Sequence, residues 1–119
     1  LLGTEAGPPA LQALKEAQVH LEICPTSNVQ TGAAASIAQH PIRALWNAGV
    51  SLSFHTDNHL ISCTDLNQEA QALMDEAGFQ WADLLAMQEQ ALQASFLPAH
   101  QTQAAAAALR AWAHVRGLR

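Results

Sequence analysis

"VSLSFHTD", residues 50–57, decides the fold. Val50, Leu52 and Phe54 fall on one side of a period of two, and Ser51, Ser53, His55 and Asp57 fall on the other. That is the pattern of a strand with an apolar face and a polar face. The stretch follows Gly49, which suits the position just past a helix end, and the spacing of Ile42, Leu45 and Trp46 predicts that helix over 36–48. Further upstream, "VHLEIC" (19–24) repeats the alternation, with Val19, Leu21 and Ile23 set against His20, Glu22 and Cys24. Pro25 and the turn formers "TSN" close it. Residues 8–18 begin with prolines that fit a first helical turn and place Leu11 and Leu14 on one face. Downstream, the apolar spacing predicts helices over 65–77, 80–93 and 97–116, with the alanine run 104–108 a good helix former.

Helix, strand, helix, strand and then helices is the order that brings strands together in parallel through crossover connections. The expected fold class is therefore α/β, with two parallel strands (about 19–24 and 50–56) and flanking helices. Strands with an apolar outer wall and a polar inner face suit a (β/α)8 TIM barrel, but such a barrel takes about 250 residues. At 119 residues the chain would supply about half of one, as a single segment 1–119.

Composition removes several classes of partner. A hydrophobic fraction of 50% supplies a packed core, and 5 basic against 10 acidic residues give a formal charge of −5. No basic cluster could neutralise a nucleic-acid backbone, so no nucleic-acid partner is expected. No apolar run approaches the ~20 residues that cross a bilayer, and "LLGTEAGPPA" at the start has neither a basic nor an apolar leader region. No membrane role and a cytoplasmic setting are the expectations. Cys24 and Cys63 have no C-x-x-C spacing, so both are expected to be reduced thiols.

Polar groups at the C-terminal ends of parallel strands are where barrel enzymes keep their active sites, and "CPTSN" and "HTDN" both fall there. Asp57 offers a hard oxygen ligand for a divalent ion, and His55 and His59 offer imidazoles. The bland alternative for Asp57 is a turn former or helix cap. For His55 the favoured reading is an orienting role beside the site, and for His59 a solvated loop histidine. Glu22 shares a side with His20 and Cys24 and is expected inside the barrel, where an unpaired charge is costly, so an ion pair with a strand missing from this chain is the favoured role. Cys24 reads as an inert packing thiol. Ser27 and Asn28 read as loop-shaping residues. Trp46, Trp81 and Trp112 lie in helical segments and read as helix-contact residues.

Taken together, "LEICPTSNVQTGAAASIAQHPIRALWNAGVSLSFHTDNHLIS" and "ALQASFLP" (91–98) closely resemble the C-terminal part of adenosine deaminases, zinc hydrolases of the metal-dependent amidohydrolase type. L-E-x-C-P-x-S-N, T-G, H-P, A-G-V, T-D-(D/N) and A-x-x-x-S-F occur in order across residues 19–98. The resemblance implies that the chain is the C-terminal portion of a TIM barrel and that Asp57 is the strand-eight carboxylate ligating catalytic Zn2+ and holding the attacking water. It implies that Asn58, at the place of an acid in many members, faces the purine. His55 and Glu22 are then supporting residues beside the site. The implied reaction is hydrolytic deamination of adenosine or deoxyadenosine to the inosine product and ammonia.

The family's H-x-H ligands, its further histidine ligand and the glutamate of its H-A-G-E stretch have no counterpart in this chain, and Leu2 in "LLGTEAG" stands where a G-H-G-T histidine would. The ligand set is therefore expected to be incomplete and the chain alone inactive. Its expected partners are a purine nucleoside in a complete enzyme and either an N-terminal half-barrel or a second copy. The alternative is a non-enzymatic, helix-rich interaction module derived from a degenerate deaminase half-barrel.

Overall fold

A computed structural model describes residue 5 and residues 7–118. Leu2 and most of the "LLGTEAG" stretch lie outside the described residues. The element order is α1 (Gly7–Glu16), β1 (Leu21–Ile23), α2 (Pro25–Gln30), α3 (Ile42–Asn47), β2 (Leu52–Phe54), α4 (His59–Ser62), α5 (Leu66–Ala77), α6 (Trp81–Ala94) and α7 (Ala99–Val115). The two strands pair in parallel, with Leu21 opposite Leu52, Glu22 opposite Ser53 and Ile23 opposite Phe54. This is the expected α/β segment, with the strands shorter than their alternating patterns.

Three helices correct the sequence reading. The stretch "PTSNVQ", expected as a turn, is the helix α2, because proline is tolerated in a first turn where its missing N–H has no helical acceptor. The helix expected over 36–48 begins only at Ile42. His40 precedes Pro41, and a residue before proline is pushed out of the helical region, so the preceding residues stay irregular. His59, expected in a loop, opens the single-turn helix α4, whose N-cap is Asn58.

The core lies between the sheet and its helices. Leu52 and Val50 are almost wholly buried with Ile42, Leu73, Phe79 and Met87, while Ile23 and Phe54 complete the apolar side of the strands. Burying side chains of this size stabilises by about 1.5–3 kcal/mol each relative to exposure. α5 is started by Asp65, whose carboxylate accepts the Gln68 N–H at 2.8 Å, and ends at Gly78 with φ 69, a left-handed conformation that glycine adopts without penalty. Gln90 on α6 reaches back to accept the Leu52 N–H at 2.8 Å, so the helix is fixed to the strand by a polar bond as well as by packing. Trp46 and Phe79 meet edge to face at 6.5 Å, and the Trp46 indole N–H donates to Asp83 Oδ1 at 3.2 Å, which makes Trp46 the expected helix-contact residue. Trp81 and Trp112 are about half-exposed and share an apolar groove between α5, α6 and α7. No helix among the described residues is long and apolar enough to cross a membrane.

Candidate active site at the strand ends

Asp57 lies beyond the last residue of β2 with a backbone φ of 56, a left-handed conformation that costs most non-glycine residues but that Asp tolerates. Its carboxylate is held from the neighbouring strand's side: Ser27 Oγ in α2 donates to Asp57 Oδ2 at 3.0 Å. The two segments singled out in the sequence, after β1 and after β2, are thus joined through a side chain from each. Cys24 lies beside them. Burial, then the nearby negative Asp57, pushes its thiol up from the ordinary value, which keeps it protonated and fits the packing role.

Asn58 has its carbonyl oxygen committed. Oδ1 accepts the backbone N–H groups of Leu60 and Ile61, each at 3.2 Å, capping α4. This fixes which way the amide points, so its NH2 group faces away from the helix start with no partner among the described residues.

Beneath these loops a row of side chains runs along the polar face of both strands. His20 Nδ1 lies 2.8 Å from Ser51 Oγ, His20 Nε2 lies 2.8 Å from Ser53 Oγ, and Ser53 Oγ lies 2.7 Å from His55 Nε2. A hydroxyl has one proton to give, so Ser53 donates to one imidazole and accepts from the other. Burial lowers the His20 pKa, with His55 adding to the shift and Glu22 opposing it, so His20 is neutral at pH 7. The sequence reading missed His20 as the centre of this row; its position two residues before Glu22 on the polar side was the available signal.

His55, Glu22, His20 and Ser53 line a pocket of about 750 Å3 with Phe96 and the C-terminal turn of α6. Glu22 is exposed at this open space and has no ion-pair partner among the described residues; the pairing expected for it is with a strand that this chain does not carry. Its lone charge is tolerated here because it is hydrated. His59 is exposed at the start of α4, as a solvated histidine should be. Asn28 does more than shape its own loop, since its Oδ1 accepts from the buried His40 Nε2 at 3.0 Å.

The pattern of the Adenosine deaminase family matches residues 6–112. The chain belongs to the adenosine deaminase family. Adenosine deaminase from Mycobacterium sp. (strain KMS) is 42% identical to it over 85 residues, which are 71% of this chain and 24% of that protein. Adenosine deaminase from Mycobacterium tuberculosis (strain ATCC 25618 / H37Rv) is 41% identical over 88 residues, 74% of this chain and 24% of that protein. The chain thus spans about a quarter of the length of these curated relatives. The crystal structure of an adenine deaminase from Arthrobacter aurescens shares the fold, with a TM-score of 0.85 at 20% identity over 89% of this chain and 32% of that one. The α/β fold is therefore that of part of a deaminase barrel.

The donor chemistry suits a zinc ion only in part. Asp57 presents a carboxylate oriented by a hydroxyl, which fits a single ligand, but among the described residues no three His, Cys, Asp or Glu side chains gather as a metal site.

Proposed function

We propose that this chain is the strand-seven and strand-eight portion of a zinc-dependent adenosine or deoxyadenosine deaminase, and that Asp57 is its contribution to the metal site. The observation that carries this reading is the Ser27–Asp57 hydrogen bond at 3.0 Å, which links the CPTSN and HTDN segments within the stretch that matches the family. Zinc, when bound, supplies a water whose pKa falls toward neutrality, able to replace the amino group of the purine with release of ammonia.

The chain's own residues orient the reaction. Asp57 presents one carboxylate oxygen away from Ser27. Asn58 keeps its carbonyl on the α4 cap and offers its NH2 to purine N7, which is only an acceptor. The hydrogen-bonded row His20, Ser53 and His55 supports the site from below with Glu22 at its edge. The remaining ligands and the proton-transferring acid belong to other parts of a complete barrel.

Joining residues 6–112 to the upstream three-quarters of a mycobacterial relative tests this. The hybrid, loaded with zinc, is expected to convert adenosine or deoxyadenosine to its inosine product. Turnover of free adenine with none of either nucleoside would move the substrate class to the base. A folded, zinc-loaded hybrid inert towards all three would contradict a deaminase role.

A further inference from the structure

Glu69 stands in the first turn of α5, is wholly buried, and is used by nothing described so far. Its Oε1 has no hydrogen-bond partner among the described residues, while Oε2 accepts the Thr26 N–H at 3.2 Å from 43 residues away. A buried carboxylate with an idle oxygen is costly, so the bond that it does make has to repay it.

Thr26 is the second residue of α2, where backbone N–H groups have no acceptor within the helix. The N-cap residue Cys24 makes no side-chain cap, so Glu69 supplies from α5 the acceptor that a local Ser or Asp would otherwise give. A helix of six residues is far too short to hold itself, and its place is set by what it is tied to. The other ties are His40 to Asn28 at 3.0 Å and Gln30 Nε2 to the Ser62 carbonyl at 3.0 Å. The Glu69 and His40 ties fall on Thr26 and Asn28, the residues on either side of Ser27, whose hydroxyl holds Asp57, and of the two it is the Glu69 tie that engages a backbone N–H of the first turn.

We propose that Glu69 is a positioning residue for Asp57: it anchors the first turn of α2 through the Thr26 N–H, and that turn carries the Ser27 hydroxyl that orients the carboxylate. This rests on the reading of Asp57 as a metal ligand. The requirement is for an acceptor oxygen at the right reach, and glutamine meets it. Aspartate, shorter by one methylene, does not.

The test compares Glu69→Gln, Glu69→Asp and Glu69→Leu in a complete deaminase barrel carrying this segment, reading zinc affinity by chelator competition, kcat and KM. Loss of a partner that orients a ligand costs about 10- to 100-fold in metal affinity or activity, and that loss is expected for Asp and Leu in kcat with KM little changed. Gln is expected to stay within about threefold of wild type. In a Ser27→Ala background the further effect of Glu69→Asp should shrink to about twofold or less, because the coupling passes through Ser27. Amide exchange at Thr26 and Ser27 in the metal-free 119-residue chain should speed up in Glu69→Asp and not in Glu69→Gln. Fully multiplicative losses with Ser27→Ala, unchanged zinc affinity in Glu69→Asp, or a Gln variant as poor as Asp would overturn the proposal. An Asp57→Ala control separates the two readings: if it keeps wild-type zinc affinity, the ligand assignment fails, and amide exchange still reports whether Glu69 anchors α2.

Discussion

Ser27 Oγ donates to Asp57 Oδ2 across 3.0 Å, so the conformation of the segment after β1 sets the direction of a carboxylate at the end of β2. Such a bond fixes the carboxylate's direction and leaves its second oxygen for another partner.

Ser27→Ala is expected to lower zinc affinity or kcat by about 10- to 100-fold in a complete barrel while leaving the unfolding midpoint nearly unchanged, since the bond is exposed. Chelator competition and steady-state kinetics check it. Unchanged zinc affinity and kcat would remove Ser27 from the site.

Asn58→Asp separates capping from substrate reading. A carboxylate still accepts the Leu60 and Ile61 N–H groups, so α4 survives, whereas Asn58→Ala loses the cap at a cost of about 1 kcal/mol. The substitution replaces the NH2 donor proposed for N7 with a carboxyl O–H, and ionisation removes that donor. The kcat/KM of Asn58→Asp should therefore fall toward alkaline pH as the new carboxyl ionises, while the asparagine enzyme shows no such limb. A 7-deaza substrate lacks the N7 acceptor and should bind poorly to both with little difference between them. Superimposable pH profiles on the natural nucleoside would confine Asn58 to its capping role.

His40 makes stability depend on pH in a known direction. Its Nδ1 accepts the Ile42 N–H at 3.0 Å and its Nε2–H donates to Asn28 Oδ1, an arrangement that needs the neutral ring. Burial lowers its pKa, with Glu69 opposing, so between the folded value and the unfolded value of about 6.5 the unfolded chain binds more protons. Stability is full above pH ~6.5 and falls as pH drops through the folded pKa. His20, also lowered, acts in the same window, so the His40 share is the difference between wild type and His40→Gln in urea titrations from pH 7.5 to 5. A difference that does not vary with pH would contradict the assignment.

The strands and the long helices were legible because their signals are local: alternation in "VSLSF" and "VHLEI", and helical spacing in α5 and α6. Asp57 and Asn58 could be singled out because they follow a strand within a recognisable stretch. What was hidden depends on distant partners. "PTSNVQ" looks like a turn until Glu69 and His40 hold it as a helix, and α4 shows in sequence only as an Asn before an apolar pair. Glu69 is one more polar residue in an amphipathic helix pattern, and nothing near it in sequence announces a bond to Thr26. The serine hydroxyls that make His20 the centre of a row are more than thirty positions from it along the chain.

The 119-residue chain by itself is expected to bind zinc weakly and leave adenosine unchanged, because on the proposed reading Asp57 would be one ligand where a catalytic zinc takes about three. It is also expected to self-associate, since each strand of the two-stranded sheet has an edge without a strand partner among the described residues and Gln90 covers only the Leu52 N–H. Sedimentation velocity over a concentration series checks this. A monomer at every concentration, unfolding in a sharp two-state transition, would contradict it.

The most direct measurement is zinc content and adenosine turnover of Asp57→Ala beside wild type, both in a complete barrel carrying this segment. Wild type should retain zinc and deaminate the nucleoside, while Asp57→Ala should keep its far-ultraviolet circular dichroism and lose zinc-dependent kcat, because removing the carboxylate both weakens the metal and frees the water that it aligns. Near-normal kcat with zinc still bound in Asp57→Ala would contradict the assignment of this residue as the ligand.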